Sequence, residues 1–272
     1  MAEKFEKGIF GRKVFFLYPT YSFQSDIMER LRTMEYEVYI INDYKNAKNT
    51  LKKNQGSILF INVDNFFSAV AWINFINSFA ENEDLKDCSI GIISDKADRE
   101  TIRLYEGCSG ISSGIFRLSA NSDENLQLIV KQLDKDNAKG RRQYVRANCL
   151  DDPSAEVFWI TNNIMYKLKI IDISAVGIAV KIPLRQAGAL KPGQLLKNIS
   201  LMLKAKPMPI NATVYAIKHG EEFNTGVFLI EKDTGKTALS TIRSYVAEKL
   251  QKRVEDQIFG MNPDREDYSR SK

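Results

Sequence analysis

Hydrophobic residues keep one rhythm over the first half of this chain and a different one from Val145 onward. In the first half, short apolar runs alternate with helical spacing. Residues 14–18, 37–41, 57–63 and 88–93 read as strands, and a fifth follows the glycine-broken stretch 107–116. Residues 22–34, 44–53, 66–79, 98–105 and 123–133 read as helices, the last with Asn121 or Ser122 as its N-cap. Strands alternating with helices in this way predict an α/β domain built on a parallel, doubly wound sheet.

In the second half, apolar and polar residues alternate over short runs: 156–161, 164–173, 177–182, 194–203, 210–217 and 225–230. Turn signals fall between them at Asp151-Asp152-Pro153, Asn162-Asn163, Lys191-Pro192-Gly193 and His219-Gly220. That pattern predicts an antiparallel β-barrel. A helical stripe of Leu239, Ile242, Val246, Leu250 and Val254 closes it, with a helix expected over 237–258 and a loose polar tail over 262–272. The expected domains are 1–135 and 136–272, so the fold class is α/β plus all-β.

The junction carries an arginine cluster, Arg141-Arg142-Gln143-Tyr144-Val145-Arg146, followed by Asp172-Ile173-Ser174-Ala175-Val176-Gly177 at the end of a strand. Guanidinium groups are permanently charged, planar and bidentate, and suit phosphate oxygens or the O6/N7 edge of guanine. Arg142-x-x-x-Arg146 with Asp172-x-Ser174-x-x-Gly177 resembles the two-part signature of PilZ domains, bacterial receptors for cyclic di-GMP. The resemblance covers about half of the chain and implies a PilZ-type barrel with a C-terminal helix. It implies that Arg142 and Arg146 grip guanines and phosphates from a flexible loop, with Arg141 as a third contact. Asp172 and Ser174 would meet a guanine edge and a neighbouring phosphate, and Gly177 would allow close backbone approach. The implied role is that of an effector whose ligand reorients its two domains for an unknown downstream protein, in motility, adhesion or secretion.

The first half resembles a receiver domain in order and spacing. Asp64 and Ser94 stand where a receiver places its phosphoacceptor and hydroxyl, but Pro19-Thr20 replaces the acidic pair that holds Mg²⁺, and Arg117 stands near the lysine position. Without hard oxygen ligands the metal has too little to bind, so a degenerate receiver is expected. A phosphorylation-gated regulator is one alternative. The other is a sequence-tolerant nucleic-acid binder using Tyr144, Phe158 and Trp159 as stacking platforms.

The formal charge of +5 on 272 residues fits an anionic ligand and falls short of the clustered basicity of a nucleic-acid protein. Cys88, Cys108 and Cys149 are odd in number and in no metal-ligand spacing, which fits a reducing cytoplasm. The acid-bearing N-terminus and the lack of a long apolar run predict neither secretion nor a membrane span. His219, the sole histidine, reads as a solvated turn residue. No nucleophile, zinc or phosphate-loop pattern appears, so a receptor is expected: no enzyme, no cofactor, no metal.

Overall fold

The computed structural model describes residues 11–161 and 163–259. The N-terminal stretch, Asn162 and the polar tail lie outside the described residues. The chain divides into two compact units, one ending at Gln143 and resuming at Gln251, the other running from Tyr144 to Leu250.

The first unit holds a five-stranded parallel sheet in the order β2-β1-β3-β4-β5. Its strands are Val14–Leu17 (β1), Val38–Ile41 (β2), Ile58–Asn62 (β3), Ser89–Ser94 (β4) and Ile115–Arg117 (β5). β1 and β3 are buried along their whole length, as strands covered on both faces must be. The helical segments are Tyr21–Phe23 (α1), which passes through a wider turn at Gln24–Met28 into Glu29–Thr33 (α2), then Tyr44–Lys53 (α3), Ala69–Asn77 (α4), Arg99–Glu106 (α5) and Ser122–Lys135 (α6). The expected doubly wound, receiver-like layout is present.

Local chemistry sets the boundaries. Asn121 accepts from the amides of Asp123 and Glu124, capping α6. At its other end Asn137 sits at φ 53°, while Asn137 N–H bonds to Asp134 C=O and Ala138 N–H to Leu133 C=O. This is a Schellman stop with asparagine in the left-handed position. α4 starts at Ala69, three residues later than its apolar run suggests, because Phe66 adopts φ 73° and Ser68 supplies the cap. The free edge of β2 is closed by Gln251, whose side-chain amide accepts from Ile40 N–H at 2.9 Å and donates to Ile40 C=O at 3.0 Å.

The second unit is a closed antiparallel barrel of six strands: Glu156–Thr161 (β7), Ile164–Ser174 (β8), Gly177–Pro183 (β9), Leu195–Leu203 (β10), Lys206–Lys218 (β11) and Phe223–Ile230 (β12). The ring runs β8-β7-β10-β11-β12-β9 and returns to β8. A short strand, Arg146–Asn148 (β6), continues along the edge of β8 beyond the end of β7. Lys236–Phe259 (α7) packs Ile242, Tyr245 and Val246 into the barrel core with Val157, Trp159, Ile170, Ile173 and Phe228.

β11 starts at Lys206, four residues before the alternating run begins. Lys204 and Ala205 form its turn with φ 50° and 58°, a left-handed pair without glycine or asparagine to announce it. Pro207 and Pro209 are tolerated because β11 has only β10 beside it there; β12 joins from Ala212 onward.

Candidate ligand-binding site

β8 decides what faces outward at the end of the barrel where β6 and β9 meet. Leu168 and Ile170 point into the core, and the registers with β9 pass from Ile170↔Val180 directly to Asp172↔Ala179. Ile171 is therefore an extra residue, a β-bulge. Strict alternation from Leu168 and Ile170 would send Asp172 inward; the bulge reverses the phase, so Ile173 enters the core and Asp172 stays outside.

The pairings with β6 put the polar groups on one face. Arg146 lies opposite Ser174 and Asn148 opposite Asp172, while Ala147 and Ile173 between them belong to the core. Arg146 Nη1 is 3.9 Å from Asp172 Oδ1, with both side chains partly open to solvent. At that separation the two attract but do not form a tight hydrogen bond, so each retains donors and acceptors. Ser174 is buried and its hydroxyl donates to Gly177 C=O at 3.2 Å. Gly177, opposite Ser174, sits so close to β12 that a Cβ would lie 2.9 Å from Phe228 C=O. The close backbone approach at this glycine is to a neighbouring strand.

Arg146, Asp172, Ser174 and Gly177 thus meet at one corner. Arg141 and Arg142 are exposed on the irregular segment before β6. Asn148 and Ala179, both opposite Asp172, were not singled out from the sequence. Asn148 was findable as the residue two beyond Arg146, on the same face of an extended strand.

Beneath the corner, Cys149 is buried and burial pushes its thiol up to about 11 against the lowering effect of Tyr245. Tyr245 from α7 donates to Asp152 at 2.7 Å and sits 3.6 Å from Cys149 Sγ. Burial, then the Asp152 bond, pushes the Tyr245 hydroxyl far above its ordinary range. These groups stay neutral and anchor α7 to the barrel.

In the first unit Asp64 follows β3. Ser94 donates to its Oδ1, and Asp95 N–H donates to Oδ2 at 2.9 Å. Burial alone would raise the Asp64 pKa, but the bonds from Asp95 and Ser94 outweigh it and hold it low; Asp95 is raised, first by its link to Asp64. Immediately before Pro19-Thr20, which replace the acidic pair of a receiver, Tyr18 at φ 56° stacks on Phe66, ring centroids 3.9 Å apart. Among the described residues no group of three or more His, Cys, Asp or Glu is placed to hold a metal ion.

No family model matches the chain, and no curated protein matches it in sequence. Among solved structures, the PilZ domain of YcgR from Escherichia coli, determined with c-di-GMP, aligns at 14% identity and TM-score 0.37, covering 43% of this chain and 96% of that one. The inhibitor of motility MotI/DgrA from Bacillus subtilis aligns at 20% identity and TM-score 0.34, covering 42% of this chain and 52% of that one, so the match spans about half of that protein. A signal receiver domain of a putative LuxO repressor from Vibrio parahaemolyticus aligns at 12% identity and TM-score 0.36, covering 46% and 92%.

Proposed function

We propose that this protein is a non-enzymatic receptor for cyclic di-GMP, with the ligand held at the corner of β6, β8 and β9. The observation that carries this reading is the shared polar face of Arg146 and Asp172 beside the buried Ser174 hydroxyl, set by the β6–β8 register and the bulge at Ile171. A flat, guanine-bearing dianion matches such a face. Arg146, joined by Arg142 and Arg141 from the preceding segment, supplies guanidinium donors and stacking planes for phosphates and base. Asp172 accepts from the guanine N1–H and N2–H edge, and Ser174 serves a neighbouring phosphate.

Signalling follows from order imposed on the arginine segment. It carries the ligand's first contacts and connects the two units, so fixing it changes the arrangement of the receiver-like domain against the barrel. A cytoplasmic partner reads that change.

Isothermal titration of the full chain with cyclic di-GMP tests the assignment. Arg146→Ala and Asp172→Ala are each expected to lower affinity at least tenfold with unchanged circular dichroism, and the ligand is recovered intact after long incubation. Undiminished affinity in Arg146→Ala overturns the site, and hydrolysis of the ligand overturns the receptor role.

A further inference from the structure

In an antiparallel ring alternate connections lie at the same end, so the β7–β8 turn, the β9–β10 connection and the β11–β12 turn share one rim of the barrel. That rim is opposite the candidate ligand corner. β8 begins at the rim with Ile164 and reaches the corner at Ser174, an eleven-residue span of about 35 Å.

Large aliphatic side chains are left uncovered at this rim. Ile160 and Met165 are cross-strand partners beside the β7–β8 turn, 67% and 59% exposed, and Ile164 at the turn is 54% exposed. Leu184 after β9 and Leu195 at the start of β10 add 50% and 47%. Isolated exposed leucines are ordinary; five aliphatic side chains brought to one rim by two connections form a patch.

The charge around the patch has one sign over a long stretch. Of the nine lysines and arginines between Val157 and Gly220, Lys167 and Lys169 pair with Glu156, and Lys204 and Lys206 lie at the opposite rim, as does the single acid of that span, Asp172. Arg185 and Lys191 are exposed on the β9–β10 connection itself, and Lys197 is exposed two residues past Leu195. The β11–β12 turn balances Lys218 with Glu221 and Glu222, so the basic character is concentrated beside the aliphatics.

We infer that this rim is a docking surface for an anionic lipid bilayer. Aliphatic side chains at a turn enter the boundary between headgroups and acyl chains, while lysines and arginines around them meet lipid phosphates. The exposed ring near this rim, Tyr215 on β11, is single against five aliphatic side chains, whereas base stacking along a strand uses successive rings, which sets the bilayer ahead of nucleic acid. Among the described residues no helix is long and apolar enough to cross a membrane, so attachment is peripheral and reversible. The inference does not rest on the cyclic di-GMP reading.

The test uses the full-length chain and sedimentation with vesicles of phosphatidylcholine containing one quarter phosphatidylglycerol, against pure phosphatidylcholine. Binding to the anionic vesicles is expected to be about tenfold tighter or more, and to weaken in high salt. Ile160→Ser with Ile164→Ser and Met165→Ser, and separately Arg185→Glu with Lys191→Glu, should each reduce it by about tenfold. The charge pair keeps the test decisive if the serine variant melts early, since surface charges alter folding little. Absence of binding to anionic vesicles overturns the inference, as does binding by both variants equal to that of the parent. Dimerisation of the parent that the serine variant abolishes makes the rim an interface between copies, and retention of an oligonucleotide by the parent but not the charge variant makes it a nucleic-acid surface; either result overturns the bilayer assignment.

Discussion

Glu156 offers a test of the barrel's electrostatics in which pH reverses the outcome. Its side chain is only 11% exposed and lies between Lys167 Nζ at 2.7 Å and Lys169 Nζ at 2.5 Å, the second from its cross-strand partner on β8. Burial alone would raise its pKa, but the bonds from the two lysines outweigh that and hold it below the usual carboxylate value. Glu156→Gln keeps the shape and an acceptor but removes the charge. Two charge-assisted bonds become at most one neutral-acceptor bond, while both lysines, about half exposed, recover water. The net loss is about 2 kcal/mol, well under the sum for two fully buried ion pairs. Because the folded pKa is depressed, the carboxylate's stabilisation is complete above the unfolded value of about 4.3 and is lost as pH falls through the lower folded value. The assay is urea unfolding followed by the emission of Trp159, buried in the barrel and stacked on Tyr166, in a Trp72→Phe background that silences the first unit. At pH 7 the midpoint should drop by about 1 M, and the gap between parent and variant should close progressively below about pH 4.3. A gap unchanged at low pH would refute the assignment of the stabilisation to the carboxylate charge.

Other substitutions probe other joints. Arg12→Ala removes a guanidinium that donates to the carbonyls of Gly56, Ser57, Asp87 and Asp136 and to Ser89 Oγ, and should destabilise the first unit by about 3 kcal/mol in chemical unfolding monitored by Trp72. Gly177→Ala puts a methyl against Phe228 C=O and should cost the barrel about 1–3 kcal/mol, so a loss of ligand affinity in this variant must be read after its stability is measured. Tyr245→Phe leaves Asp152 Oδ2 without its hydroxyl donor, while Ser154 still donates to Oδ1, and should lower barrel stability by about 1–2 kcal/mol, measured by the Trp159 midpoint. With both carboxylate oxygens of Asp64 engaged, acetyl phosphate should fail to label the chain; labelling that vanishes in Asp64→Asn would restore an active receiver.

Most of the architecture was legible because the two periodicities are clean. Residues 14–17 and 58–61 are unbroken apolar runs and lie in buried strands, and the α6 cap is written in Asn121. The departures arise where backbone conformation is carried by residues that do not advertise it. Phe66 at φ 73° delays α4, and Lys204-Ala205 makes a left-handed turn that no glycine announces, hiding the first four residues of β11. At the candidate site, residue types pointed to the chemistry, but alternation alone misplaces Asp172. Leu168 and Ile170 set an inward phase, and only the adjacent pair Ile170-Ile171 hints that the phase slips. Strand alternation from Arg146 marks Asn148 as sharing its face, but that Asn148 stands opposite Asp172 comes from cross-strand register, which no local pattern encodes.

That slip explains how one strand serves both the core and the polar face. β8 pairs with β7 over its first half and with β6 over its last three residues, while β9 runs along its other side from Lys169 onward. Before the bulge its outward residues include Lys167 and Lys169, committed to Glu156; after it they are Asp172 and Ser174, facing Asn148 and Arg146. Without the extra residue a carboxylate would be driven among Leu168, Ile170 and Val180, where an unpaired charge costs several kcal/mol and the strand would not close the barrel. The bulge meets two demands at once: it keeps Ile173 in the core, and it leaves Asp172 only loosely engaged with Arg146. A loosely held pair of opposite charges, fixed in place by strands instead of by its own bond, can exchange its partner for a ligand without unfolding its support.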